Sequence, residues 1–230
     1  MQHMPRVSIV TPTTFSRAKF APLLVRNILC QTYSKHLLQL IVVGDTDPRT
    51  RQLYSDVFRQ LSPIVCTYHE CDINGNIGRK RNFACGKANG KILAAMDDDD
   101  FYHKSYLEYA VLMMRTRKVN IVACRDMFVF FPLAEGKMTM VRGSTGHEAT
   151  FVCTKQHWKT HKFAPTAVSE GASMIDGKFY NELDIRKVMI CFSHGNNTYD
   201  KAKLLQAPAV AIPDELRQKL LEIWIACTNT

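Results

Sequence analysis

Hydrophobic and polar positions repeat in a fixed order along the first half of the chain. Val7-Ser8-Ile9-Val10 is a short β-branched run stopped by Thr11-Pro12-Thr13, which predicts a buried strand ending in a loop. From Arg17 to about Gln31, the residues Phe20, Leu23, Leu24, Ile28 and Leu29 recur at three- and four-residue intervals. They predict an amphipathic helix whose other face carries Arg17, Lys19, Arg26 and Asn27. Leu37 to Val43 is a nearly continuous apolar run ending at Gly44-Asp45, as expected of a strand buried on both faces of a parallel sheet. A second helix follows through Leu53, Val57 and Leu61, then a third strand over Ile64 to Tyr68.

Gly75 and Gly78 break the pattern, and Arg79-Lys80-Arg81-Asn82 opens a helix that Asn89-Gly90 ends. Ile92 to Met96 predicts another strand, which terminates in Asp97, Asp98, Asp99 and Asp100. A helix packing through Tyr106, Tyr109, Ala110 and Met113 leads to a fifth strand over Val119 to Cys124. Beyond it the alternation stops. Shorter runs follow at Met127 to Phe131, Met138 to Arg142 and Ala149 to Cys153, and a terminal amphipathic helix runs from Asp214 to about Cys227. The expectation is one domain over residues 1–230, with a nucleotide-binding half over 1–124 and an appended mixed half over 125–230 that shapes a second pocket.

Composition changes this picture little. With 230 residues, 46% hydrophobic and 22% charged, the chain is ordinary globular protein, long enough to bury roughly 70–75% of its unfolded surface. The net charge of +9 suits an anionic partner without choosing among nucleic acid, membrane and phosphorylated small molecule. Eight scattered cysteines, several inside apolar runs, lack zinc-site spacing and read as small buried hydrophobes. No apolar signal core precedes Arg6, and the longest aliphatic run is far short of a membrane span. A soluble cytoplasmic protein in a reducing compartment is expected, without a transmembrane segment but compatible with peripheral membrane association.

The chemistry concentrates at predicted strand ends, where open α/β sheets bind ligands. Four adjacent carboxylates repel one another and persist most readily where a cation offsets them. Oxygen ligands select Mg2+ or Mn2+. A solvated acidic loop capping the next helix is the competing reading, weakened by the position of the run directly after an apolar strand. The basic segment after Gly78 suits phosphates.

Five segments in order carry a resemblance: Val7 to Thr13, Ile41 to Asp45, Gly78 with Arg81-Asn82, Ala88 to Ile92, and Met96 to Asp100. Together they resemble the motifs of family 2 glycosyltransferases. The resemblance implies a GT-A fold, a Rossmann-like, mostly parallel α/β sheet flanked by helices with an appended acceptor-binding half. It also implies inverting transfer, with a metal ion, from a nucleotide-diphosphate sugar, a UDP-sugar first, to a hydroxyl acceptor such as a growing glycan. The sugar moved would be a hexose or deoxyhexose.

By that resemblance Thr11, Pro12 and Thr13 form the loop against the nucleotide, Asp45 accepts from base or ribose, and Arg81 meets the base or the diphosphate. Asp97 and Asp99 match the Asp-x-Asp pair and hold the ion, with Asp98 on the ribose; four aspartates leave the register open by one. His194, in a His-Gly-x-Asn segment, is a further ligand for the ion or the diphosphate. Glu170 matches the late catalytic acid, although Gly171 stands where the family usually has a second acid. It also suits the base by its neighbours Gly171-Ala172-Ser173, which leave room for a sugar; Asp176 and Glu182 are reserves. His147-Glu148 can read sugar hydroxyls or cap a turn, and Trp158 can stack on a ring or fill the core.

Rival readings remain. A sugar-nucleotide nucleotidyltransferase needs a glycine-rich basic loop after the first strand, and Thr11-Pro12-Thr13-Thr14 is not one. A metal-dependent nucleic-acid-binding protein or nuclease would gather its basic residues into an aromatic-laced stripe, whereas here they are dispersed, so no nucleic-acid partner is expected. A catalytically dead sugar-binding domain would not need the intact aspartate run and Glu170.

Overall fold

The computed structural model describes residues 4–71, 76–175 and 181–228. Strand β1 (Val7–Pro12) is buried throughout and leads through a 3-10 turn (Phe15–Phe20) into α1 (Ala21–Cys30). Pro22 lies in the first turn of α1 and has no N–H to give, so the α-helix starts there and not at Arg17. This corrects the predicted helix and its faces: Arg17 and Asn27 are buried, whereas Leu29 is exposed. Asn27 clamps the end of the aspartate run, its Nδ2 donating to the Asp100 carbonyl at 2.7 Å and its Oδ1 accepting from the Tyr102 N–H at 3.0 Å.

β2 (Leu38–Gly44) is buried at every residue, as its unbroken apolar run predicts. α2 (Pro48–Phe58) is capped by Asp47, whose carboxylate accepts from the Thr50 N–H at 2.7 Å. β3 (Val65–Glu70), α3 (Ile77–Lys87) and β4 (Ile92–Ala95) follow, then β5 (Phe101–Tyr102), α4 (Tyr106–Arg117) and β6 (Ile121–Val122). The appended part contributes β7 (Asp126–Phe131), β8 (Lys137–Arg142), β9 (Val152–Thr154), α5 (Lys155–Thr160), β10 (Met189–Phe192) and α6 (Asp214–Thr228).

Six strands form one sheet in the order β3-β2-β1-β4-β9-β6, the first four parallel and β9 antiparallel to both neighbours. β5-β10-β7-β8 form a smaller second sheet. Alternation along β1 sorts the core into two layers. Val7 and Ile9 join Leu24, Tyr54 and Tyr106 on one face, while Val10 joins Ala84, Cys85 and Trp158 on the other. A third cluster of Phe20, Phe130, Phe192, Leu220 and Trp224 seats α6.

Several expectations shift. The fifth strand shortens to Ile121–Val122, and the run predicted as a strand from Ala149 begins as a 3-10 turn at Glu148–Thr150. The boundary at 124 is crossed in both directions, because β9 returns to the first sheet and β5 leaves for the second. Cys30 is exposed, Cys66 and Cys71 are half-buried, and the other five cysteines are buried; no disulfide joins any of them. Gly75 and the reserve acid Asp176 lie outside the described residues. No helix among the described residues is long and apolar enough to cross a membrane.

Candidate active site

The parallel strands deliver Thr11 to Thr13, Asp45 and the aspartate run to one edge of the sheet. Thr11-Pro12-Thr13, expected as a loop against the nucleotide, is instead buried, with Thr11 and Pro12 ending β1 in register with Val42 and Val43, and its polar groups are occupied with its own neighbours. Thr11 Oγ1 donates to the Met96 carbonyl at 2.7 Å, and the Pro12 carbonyl accepts from Arg17 Nη2 at 2.9 Å. Asp45 is more open, and its carboxylate pairs with the buried ammonium of Lys80, which also donates to the Thr13 carbonyl at 2.8 Å. The helix start at Arg79 therefore does not present three solvated cations: Lys80 and Arg81 both turn inward.

The four aspartates meet four different fates. Asp98, expected against the ribose, is fully buried and turned away, its carboxylate enclosed by Arg17, Thr13 and the Tyr54 hydroxyl at 3.0 Å. Asp97 lies beside Arg81, whose Nη2 is 3.0 Å from Oδ1 and 3.1 Å from Oδ2. Only the second contact has hydrogen-bond geometry, so Asp97 Oδ1 is buried without a donor. Asp99 accepts from His194 Nε2 at 3.1 Å and lies 3.5 Å from Arg17. Asp100 accepts from the Phe192 N–H at 3.1 Å and faces the Lys201 ammonium at 3.5 Å. Burial pushes the Asp99 carboxyl up, but Arg17, His194 and Lys201 outweigh it and hold it well below the usual range. In Asp100 burial prevails over Lys201, with Asp99 and Asp97 adding repulsion, so its carboxyl is raised.

His194, expected among the ligands of an ion, stands one step behind. The Asn196 N–H donates to its Nδ1 at 3.1 Å, which leaves Nε2 as the donor to Asp99. Burial depresses the imidazole's basicity, against the opposing pull of Asp99. Phe20 and Trp224 flank it at ring-centroid distances of 4.7 and 5.8 Å. Both ring nitrogens are spent on orientation.

Glu170 opens a 3-10 turn (Glu170–Met174) on the wall of a cavity of about 360 Å3 that Asp97, Asp99 and Asp100 also line. Arg81, 2% exposed, joins the two sides, its Nε donating to Glu170 Oε1 at 2.9 Å. Arg81 is thus a bridge within the protein where the sequence suggests a ligand contact. Gly78 makes this closure possible, because a Cβ there would fall 1.8 Å from the Ala164 carbonyl oxygen and 3.0 Å from Glu170 Cβ. Burial raises the Glu170 carboxyl, Arg81 opposes, and the nearby Glu148 adds to the rise. His147 and Glu148 line the same cavity, and Glu148 Oε1 accepts from the Gly171 N–H at 3.1 Å. Glu182 lies apart, tied to Arg125 and Arg142. Trp158 is a core residue whose Nε1 donates to Asn82.

The donor set suits a hard divalent cation. One carboxylate oxygen from each of Asp97, Asp99 and Asp100 lies within 4.8 Å of the others. Asp97 Oδ1 lacks the donor that such an ion would replace. With all five ionised, the carboxylates of Asp97, Asp98, Asp99, Asp100 and Glu170 would outnumber the cations held against them, Arg17, Arg81 and Lys201, by two, an excess that a bound cation or protonation of the raised Asp98, Asp100 and Glu170 carboxyls would relieve.

Arg17, Asp100 and Lys201 are missing from the sequence reading of the site. Arg17 falls on a helical period that assigns it to solvent, and Lys201 follows no strand. Asp100 alone carried a signal, as the fourth member of a run whose register was open.

Known proteins share both the pattern and the architecture. The model of the family described as Glycosyl transferase family 2 matches residues 8–168. WcaA of Escherichia coli (strain K12), whose name places it among colanic acid biosynthesis glycosyl transferases, is 33% identical over 100 residues. That stretch is 44% of this chain and 34% of WcaA, so the match spans about a third of the relative's length. TarS 1-349 of S. aureus, in complex with UDP-GlcNAc, superimposes with a TM-score of 0.63 at 14% identity, covering 96% of this chain and 72% of that one. The mannosyltransferase PcManGT from Pyrobaculum calidifontis, in complex with GDP-Man and Mn2+, gives 0.60 at 15% identity, covering 98% and 72%.

Proposed function

The chain belongs to glycosyl transferase family 2, and from that premise we propose that it is a metal-dependent inverting glycosyltransferase that takes its sugar from a nucleoside diphosphate. The observation that carries the reading is the cluster of Asp97, Asp99 and Asp100 sharing one cavity with Glu170. A UDP-sugar is the first donor to test and a GDP-sugar the second, in line with the ligands of the two structural neighbours. The hydroxyl acceptor, such as a growing glycan, enters from the appended half, residues 125–230.

Mn2+ or Mg2+ held by Asp97, Asp99 and Asp100 would neutralise charge on the departing diphosphate. The chain's own groups do the rest. Glu170 removes the acceptor hydroxyl proton as that oxygen bonds to the anomeric carbon. The bond from that carbon to the diphosphate oxygen breaks on the opposite side, and the electron pair leaves with the nucleotide. Displacement in one step inverts the anomeric centre. Arg81 fixes Glu170 and Asp97 relative to each other, and Arg17 and Lys201 offset the mutual repulsion of the aspartates. Asp98 has a positioning role, holding Arg17 beneath the cavity. The free thiols fit the reducing cytoplasm proposed for the protein.

Thermal unfolding with UDP-, GDP- and dTDP-sugars tests this reading. The transition should rise with one donor class and only when Mn2+ or Mg2+ is present, because a ligand of the native state stabilises it by mass action. No rise with any nucleotide sugar and either metal would overturn it. A product retaining the donor's anomeric configuration would overturn the single displacement.

A further inference from the structure

The surplus positive charge is concentrated. Residues 76–96 and 149–169 hold eight of the thirty lysines and arginines and none of the 21 acidic residues. The fold lays these two segments side by side. The Lys155 N–H donates to the Lys91 carbonyl at 2.8 Å, the Lys155 ammonium reaches the Ala88 carbonyl, and Trp158 Nε1 donates to Asn82 Oδ1 at 2.9 Å. Lys80 and Arg81 turn inward, so Arg79, Lys87, Lys91, Lys159 and Lys162 stand exposed on the layer made by α3 and α5.

Between them one exposed position carries no side chain. Gly86 sits exposed on α3 with open space around the position of a Cβ. A helix is weaker with glycine than with alanine there, and no neighbour requires the small residue. The Lys87 ammonium lies over the Phe83 ring at 5.3 Å and the Lys162 ammonium over the Trp158 ring at 5.6 Å, so both charges are held at this face while their residues stay exposed. Beyond Phe163 the chain continues as Ala164-Pro165-Thr166-Ala167-Val168, an exposed and mostly apolar loop. Ala167 and Val168 also line the cavity, so the loop joins the basic layer to the cavity wall.

We propose that the α3–α5 layer and the 164–168 loop form a docking surface for an anionic phospholipid bilayer, which sets the cavity mouth at the headgroup layer. The exposed lysines meet the anionic surface while the small apolar loop enters the headgroup boundary. A soluble polyanion would use the lysines and gain nothing from the loop. The proposal goes beyond glycosyl transfer and concerns binding alone, so its failure leaves the catalytic reading standing.

Sedimentation of the full chain with vesicles tests it. The protein should bind vesicles of phosphatidylcholine with about one-third phosphatidylglycerol and not pure phosphatidylcholine. Binding should be released at about 1 M salt, where the screening length falls to about 3 Å. The variant K87E/K159E/K162E, at exposed positions outside the cavity, should keep the thermal transition of the parent. It should lose at least roughly a hundredfold in partitioning, since each lysine near the surface contributes about fivefold. K87Q/K159Q/K162Q should fall between. Three outcomes would overturn the proposal: no binding to the anionic vesicles, unchanged partitioning of the Glu variant, or binding to long-chain polyphosphate with none to vesicles.

Discussion

One wall of the cavity, with Asp97, Asp99 and Asp100, stands directly after a strand held in a parallel ladder. The other wall, with Glu170 and Lys201 and with His194 behind it, stands on loops and 3-10 turns of the appended half. Backbone hydrogen bonds fix the first wall. The second is tied to the first by side chains: Glu170 to Arg81, His194 to Asp99, and Lys201 to Asp100. A charge change on the strand-end wall therefore acts twice, on the group itself and on the loop that answers it. A change on the loop wall acts once.

The largest effect should come from Asp99→Asn, which removes a proposed ion ligand and also loosens His194, whose Nε2 donates to Asp99 at 3.1 Å, and Asn197, whose Nδ2 does so at 3.4 Å. Nucleotide-sugar turnover should fall by about a thousandfold or more, with the Mn2+-dependent rise in thermal transition lost. Preserved turnover with preserved metal response would show that the two walls do not meet at this residue. Glu170→Gln tests the loop wall alone: kcat should fall by roughly 100- to 10,000-fold while donor affinity stays within a few-fold of the parent. If donor affinity falls instead, Glu170 is a structural partner of Arg81 and another group takes the proton.

Arg17→Met sharpens the comparison from below. Arg17 is 3% exposed and holds Asp98 and Asp99 at once, so its loss leaves buried carboxylates unanswered. The expected cost is about 3–5 kcal/mol, seen as a thermal transition lowered by roughly 10 °C. The further change Asp98→Asn should recover part of it, and additive losses in that double mutant would mean that the pair is not coupled.

The same contrast explains what could be read from residues alone. A buried parallel strand must be apolar and must stop at polar residues, so β1, β2, β4 and the aspartate run were visible as pattern. The inward turn of Arg17 was not, because the period of a helix assigns a face only where a helix forms, and Pro22 delays it. Lys201 was invisible for a different reason. It owes its place to Asp100, about a hundred residues earlier, and no local spacing records such a pairing. Asp98 shows the limit of matching by motif, since one member of the acidic run turns into the core while the other three line the cavity.

The smallest effect separates electrostatics from geometry on the loop wall. Burial raises the Glu170 carboxyl, Arg81 opposes, and the Glu148 charge adds to the rise. A base must be ionised to accept a proton, so kcat should fall as pH drops through this raised value, above the ordinary carboxylate range. Glu148→Gln keeps an oxygen for the Gly171 N–H at 3.1 Å and removes only the like charge. Ionisation of Glu170 then becomes easier, and the acid limb of the kcat profile should move to lower pH with the plateau nearly unchanged. A shift to higher pH, or a lowered plateau with an unmoved limb, would mean that Glu148 acts on the acceptor itself and not through the charge of Glu170.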